Sequence, residues 1–472
     1  MASLDPPCSK FLSPAELAHL ENQLRLEFGP SVVSPERAAE LKEILALADQ
    51  DIERLKMMCV KKISSRATRG SQTSDLPSPI ITYLPAMAIS SVCSRWRIFA
   101  LSSPNLWANL SVEVCPAAPD QVTTLVGFSD TVARYLERSG DWPLRLALNS
   151  GYYSLTNHMN LSELYFPLLA ELDINTSERD EMSSVLDCFE HAPRLCALAT
   201  TKVPTSKAPY HQLRHLKLWY IDYSYSKLAE ILHRCTSVES LELEGYKQWK
   251  HEDGAHYLSR NITSLTIGDL QDFSGSILKT VFLSFDLPSL NVIVLEGQQG
   301  TSAYWPMETF IPFISRSSCM ITTFTLRKIS VYDSDLIVAL QVMPSLLNLQ
   351  IVDYEWCHQD VPITSKLISS LIQDASTSIS LVPKLHTLRL VSQNKYSGSF
   401  DDSAFVSMVE LRWFRPGSDH SVAMSRMGRG CLRSVVLKLD WREVDAEVYK
   451  PLRILEKEGL RVVVAGINGI QV

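Results

Sequence analysis

The chain has 18 glycines in 472 residues. That is too few for the glycine-rich strand-to-helix turns of a doubly wound, nucleotide-type sheet. No phosphate-cradling G-x-x-x-x-G-K-[ST] loop and no G-x-S-x-G nucleophile elbow occurs. The ten cysteines are scattered and none forms a C-x-x-C pair, which argues against a zinc ribbon or a dithiol redox motif. No apolar run reaches the ~18 residues of a membrane span. The first residues, Met1 to Pro6, lack the basic-then-apolar pattern of a secretory leader. A reducing compartment, cytosol or nucleus, with free thiols is therefore expected, and the sequons at Asn109, Asn160, Asn175 and Asn261 are chance matches. Positive charge is also in deficit: 45 Lys and Arg against 52 Asp and Glu give a net charge of −7. That balance speaks against nucleic acid or an anionic membrane as partner.

Catalytic and metal-binding patterns are equally sparse. His251-Glu252-Asp253-Gly254-Ala255-His256 comes nearest to a zinc-protease helix, but its histidines are five residues apart and do not share a helix face. Asp333 and Asp335 fall where a helix start favours acids, so capping explains them better than paired catalysis. The eleven histidines are dispersed. No cofactor or metal is implied and the chain is not expected to be an enzyme.

What is present divides the chain into four parts. Residues 1–60 read as helices. Ser13-Pro14-Ala15-Glu16 is a capping-box start, and Leu41, Leu45, Ala48, Ile52 and Leu55 form a short heptad-like seam, a possible coiled coil. Residues 61–75, rich in Ser, Thr, Arg and Lys, read as a linker. Residues 76–111 hold an apolar helical block. Ile89, Val92, Trp96 and Phe99 recur at helical steps, leaving Arg95 and Arg97 on the wetter side. Ser103-Pro104 is a helix-start signal, and Leu106, Trp107 and Leu110 are placed on the helix that follows.

The wording of this block, with Val92, Cys93, Trp96, Arg97, Ser102 or Ser103, Pro104, Leu106 and Trp107 at fixed offsets, resembles the second half of an F-box, in particular the F-box-like proteins of mushroom-forming fungi. The resemblance covers about twenty residues. It implies docking on a Skp-type adaptor of a cullin ubiquitin ligase, with Leu76, Pro77, Val92, Trp96, Leu101, Leu106 and Trp107 as apolar contacts. The box is shortened: only fifteen residues lie between Leu76 and Val92. Its first helix is either missing or reduced to a rudiment around Ile80-Ile81 and Tyr83-Leu84.

Residues 142–472 carry a recurring pattern: a leading apolar residue, two residues, a second apolar residue, one residue, a third. It appears as Leu169-Leu172-Ile174, Leu213-Leu216-Leu218, Val238-Leu241-Leu243, Ile262-Leu265-Ile267 and Leu290-Ile293-Leu295. It continues as Ile321-Phe324-Leu326, Leu346-Leu349-Ile351, Leu385-Leu388-Leu390 and Leu432-Val435-Leu437. Proline precedes several copies, at Pro167, Pro193, Pro288, Pro344 and Pro383. From Leu213 the first intervals are 25, 24, 28, 31 and 25 residues, in or near the leucine-rich-repeat range. A longer interval holds an insertion, Gln393 to Gly430, and Leu460 to Val464 reads as a closing strand. The alternating end of each copy predicts a strand, and segments such as Ser226 to Leu232 and Ser334 to Leu340 predict helices. One unit buries about three aliphatics, on the order of 5–9 kcal/mol before chain entropy, so units must stack to hold.

The expected fold is thus an α/β repeat: N-terminal helices and a partial F-box helical motif, then an irregular leucine-rich-repeat solenoid. A wound α/β sandwich is the rival architecture. Residues between the buried strand positions would face the concave side and bind a protein target: His215, Lys217, Trp219, Glu242, Glu244, Asn348, Gln350, Thr387 and Arg389, with Ser240, Ser264 and Thr266 among them. Two functions fit: a non-catalytic substrate-recognition subunit of a Skp-cullin-F-box ligase, or an interaction scaffold whose shortened box no longer meets the adaptor and whose Trp96 and Trp107 cap the first repeats.

Overall fold

The computed structural model describes residues 77–83, 85–92, 94–116, 124–151, 166–176, 189–201, 209–219, 225–245, 257–270, 276–298, 303–353, 361–372, 381–393, 400–414 and 430–470. These lie within one unit, Asp75–Val472. The helices expected over 1–60, the linker 61–75, Leu76 and the His251-to-His256 stretch fall outside the described residues, as does most of the Gln393-to-Gly430 insertion.

The fold is mixed α/β, built on one large, mostly parallel sheet. Its strands are β1 (Pro77–Tyr83), β2 (Asn109–Pro116), β3 (Leu144–Gly151), β4 (Leu169–Thr176), β5 (Ala197–Thr200), β6 (His215–Trp219), β7 (Ser240–Glu244) and β8 (Ser264–Leu270). They continue as β9 (Val292–Gly297), β10 (Thr323–Arg327), β11 (Asn348–Val352), β12 (Thr387–Ser392), β13 (Ser434–Leu439), β14 (Arg461–Gly466) and β15 (Gly469–Ile470). Each lies beside its predecessor in the chain. A doubly wound sheet reverses its order at a switch point; this one does not. The thirteen strands from β2 to β14 run parallel, with an antiparallel strand at each edge.

Register aligns the recurring apolar positions across the sheet. Leu110, Leu146, Leu172, Leu198, Leu216, Leu241 and Leu265 are successive cross-strand partners, and the row continues through Ile293, Phe324, Leu349, Leu388, Val435 and Val462. All are buried. The third position of each copy forms a second buried row, apolar except at Thr200. Parallel strands need crossovers, and among the described residues an α-helix lies in eight of these twelve. The apolar faces of α4 (Tyr225–Arg234), α5 (Ser276–Ser284), α6 (Met307–Ser317), α7 (Asp333–Gln341), α8 (Ser365–Leu371), α9 (Asp402–Arg412) and α10 (Lys450–Lys457) join the strand rows in one continuous core.

The prolines have a local reason. In Phe166-Pro167-Leu168-Leu169 the amide of Leu169 donates to the carbonyl of Phe166 at 3.2 Å. Leu195, Leu290, Leu346 and Leu385 do the same to Ala192, Leu287, Met343 and Val382. Each is a four-residue turn with proline second, the position its fixed φ suits. After the turn one carbonyl takes two consecutive amides of the next unit. Arg214 accepts from Glu239 at 2.8 Å and Ser240 at 3.0 Å, and the pattern recurs from Thr263, Asn291, Thr322, Leu347 and His386.

The 76–111 block departs from the helical expectation in four ways. Pro77–Tyr83 is an edge strand paired with β2, not a rudiment of a helix. An edge strand tolerates two prolines, because residues two apart leave their missing N–H groups on one side of the chain. The single helix drawn through Ile89 and Phe99 is two, α1 (Pro85–Val92) and α2 (Ser94–Ser102). Pro104–Trp107 is one 3₁₀ turn without a side-chain cap from Ser103, and Leu110 lies on β2 rather than on a helix. Lastly, β2 makes the block part of the sheet, so 76–111 is not separate from the repeat region. Strand β2 and helix α3 (Thr124–Ser139) carry that α/β region to a point before residue 142. At the other end β14 does not close the sheet; β15 folds back on it.

Candidate functional site

Trp107 defines the N-terminal end. Trp107-Leu110-Val112 has the spacing of the copies from Leu169 to Leu437, so the tryptophan stands at the leading position of that pattern. It is 0% exposed. Its Nε1 donates to the Ala100 carbonyl at 2.7 Å, its ring meets Tyr135 edge-on at 5.0 Å, and the Arg138 guanidinium lies 4.4 Å from the ring centre. Trp107 therefore presents no exposed surface in this structure; the F-box offsets that nominated it also fit the leading position of the recurring pattern. Leu106 is half-buried against the same core. Trp96 is half-buried, edge-on to Phe99 at 6.2 Å. Leu101 is 48% exposed, beside Phe99 at 48% and Ile98 at 69%. Of the expected adaptor contacts, Leu101 alone stands well clear of the core among those with described side chains. The side chains of Pro77 and Val92 lie outside the described residues.

The second candidate is the polar face of the sheet. Strand alternation puts His215, Lys217 and Trp219 on it, next to Ser240, Glu242 and Glu244. Lys217 Nζ donates to Glu242 Oε1 at 2.7 Å and Glu244 Oε1 at 2.6 Å, and lies 5.5 Å from the Trp219 ring centre. Burial works against the Lys217 ammonium, but the hydrogen bonds and charges of the two glutamates outweigh it and its pKa is raised. Burial also raises the Glu244 carboxyl; Lys217 pulls it back and Glu242 pushes it up again. Gly268, opposite Glu244, gives that side chain its room: a Cβ there would stand 3.2 Å from Glu244 Cγ.

Sequence reasoning began the face at His215 and so missed Arg145, Glu171 and Asp173, which extend it. The same alternation around Leu172 and Ile174 would have found the two acids. Arg145 pairs with Glu171. Asp173 lies between Ala147 and Ala199 on the neighbouring strands. Burial raises its pKa to about 6, against the pull of Lys217 and Arg145. Asn348, Gln350, Thr387 and Arg389 lie on the same face, four and five strands beyond Glu242. The expected target-binding residues thus form two groups on one sheet rather than one cluster.

The chemistry on offer is fixed charge and hydrogen bonding. The Lys217 amine is held protonated between carboxylates. Burial pushes the Cys235 thiol up to about 12 and the Cys319 thiol to about 11. Among the described residues no group of three or more His, Cys, Asp or Glu is placed to hold a metal ion, and no helix is long and apolar enough to cross a membrane. Asp333, at the start of α7, accepts from Thr364 Oγ1 at 2.7 Å, and Thr364 in turn caps α8. That acid ties adjacent helices together. No family model, curated protein or solved structure matches the chain.

Proposed function

We propose that the protein is a non-catalytic recognition subunit whose strand–helix units stack as an irregular leucine-rich-repeat solenoid and bind a protein target across the polar sheet face. The observation that carries this reading is the register. Side chains from Asn109 to Arg461 form rows on thirteen parallel strands, each held in place by the ladder on both sides. A rigid face of mixed polar, charged and aromatic groups suits a protein surface. A photocrosslinking residue at Thr266 or Gln350, in the middle of that face, should yield one dominant protein adduct in cells. The same residue at Glu230 or Ser407, exposed on α4 and α9, should not. Equal labelling from face and helix positions sinks the reading.

Delivery of the target to a cullin ubiquitin ligase through a Skp-type adaptor is favoured by the exposed Ile98, Phe99 and Leu101 on α2. The scaffold alternative, without adaptor binding, is favoured by the buried Trp107 and by a strand where the first box helix would lie. Size-exclusion of the chain with purified adaptor separates them: co-elution abolished by Leu101→Glu supports the ligase, and separate elution supports the scaffold.

A further inference from the structure

We propose that the polar sheet face recognises a protein segment that is itself charge-divided, basic at one end and acidic at the other. The proposal rests on the recognition role above and specifies its partner. Among described side chains, the face from Asn109 to Glu244 carries four carboxylates, Glu171, Asp173, Glu242 and Glu244, against two cations, Arg145 and Lys217, a net −2. From Ser264 to Arg461 it carries one carboxylate, Glu296, against Arg327, Arg389, Lys438 and Arg461, a net +3. The division runs against the chain's overall charge of −7.

Pairing within the face sharpens the division. Arg145 is neutralised by Glu171, and Arg327 by Glu296 at 3.2 Å. Lys217 offsets one of its two glutamates. Asp173 and one of the two glutamates on Lys217 then remain at one end. Arg389, Lys438 and Arg461 remain at the other, with no carboxylate within 4.0 Å among the described residues. Between them the described side chains of the face are uncharged apart from the Glu296–Arg327 pair, with Ser264, Thr266, Val292, Val294, Thr325 and Gln350. A polyanion is repelled by one end and a uniformly basic segment by the other; a divided segment is attracted by both. Five strand spacings separate Glu242 from Arg389. At ~4.8 Å each this is ~24 Å, which an extended segment crosses in about seven residues.

Two peptides of one composition test this on the full chain by fluorescence anisotropy at low salt. One has three Lys or Arg residues, a seven-residue Ser/Gly/Thr spacer and three Asp or Glu residues; the other interleaves the same residues. The blocked peptide should bind about tenfold tighter or better. Its advantage should vanish with Glu242→Lys plus Glu244→Lys, and also with Arg389→Glu plus Lys438→Glu, which breaks no ion pair. Equal binding of the two peptides, or a preference unchanged in both double variants, overturns the proposal. If Thr266 and Gln350 still crosslink selectively when the peptides bind equally, the charge rule falls and the recognition role stands. If that selectivity is lost, the role itself falls.

Discussion

Replacing Trp107 by Ala should unlock the N-terminal units rather than remove a binding contact. The indole is fully buried, and truncating a buried tryptophan costs about 3–5 kcal/mol. The change also removes the shorter of the two hydrogen bonds to the Ala100 carbonyl, which keeps the Ser103 amide at 3.3 Å, and that adds about 0.5–1.5 kcal/mol. A total near 5 kcal/mol follows. Because each strand of the sheet lies beside those next to it in the order, the loss should be felt locally. The assay is therefore native-state hydrogen exchange at Leu110, Val112, Leu146 and Leu148 rather than a bulk melt. Exchange there should rise by about 10³- to 10⁴-fold, while Leu388 and Leu437 stay protected. Trp107→Phe keeps most of the ring and loses the hydrogen bond, so its effect should be about 1–2 kcal/mol. Protection at Leu110 and Leu146 within tenfold of the parent in Trp107→Ala would refute the reasoning. Adaptor capture lost in such an intact variant would return Trp107 to the docking role.

Three further outcomes are expected. Arg412, on α9, is buried and donates to the carbonyls of Leu371, Leu381 (2.6 Å) and Val382 (3.1 Å); Arg412→Met should cost about 3–5 kcal/mol in urea denaturation, and a loss below about 1 kcal/mol would dismiss the clamp. Asp173 has a raised pKa, so the folded state binds more protons than the unfolded one between about 4 and 6, and stability falls as pH rises through that window. Asp173→Asn should then stabilise the protein at pH 7 by about 1 kcal/mol, once the full ~3 kcal/mol is discounted for partial solvation, with the gain shrinking towards pH 4; a pH-independent difference would count against it. Gly297→Ala places a Cβ 2.1 Å from the Lys328 carbonyl oxygen, so the melting temperature should drop where an unobstructed Gly→Ala change would raise it.

The strand centres were the legible part of this chain. Wherever the leading, second and third positions were all aliphatic or aromatic, from Leu169 to Leu437, the sequence pattern lands on observed strands. Leu195-Leu198-Thr200 escaped because a threonine fills its last apolar place; Thr200 is nonetheless buried. Trp107-Leu110-Val112 escaped for a different reason. A tryptophan after Ser-Pro has a helix-start reading as well as a repeat reading, and local propensity cannot choose between them. Only the alignment of Leu110 with Leu146 and Leu172 decides, and that is a tertiary fact. The charge-divided face was hidden for the same reason, since Asp173 and Arg389 are 216 residues apart. Their common face appears only once the rows are in register.

The in-phase ladder has an evolutionary consequence. The chain takes 25 residues from Leu213 to Val238 and 47 from Leu385 to Leu432, yet both journeys end at the same alignment. What happens between strands is invisible to the sheet. A lineage can splice in or drop a complete turn of this architecture between equivalent points and keep every remaining neighbour matched. The width of the sheet therefore grows or shrinks in increments of ~4.8 Å without disturbing what is already built.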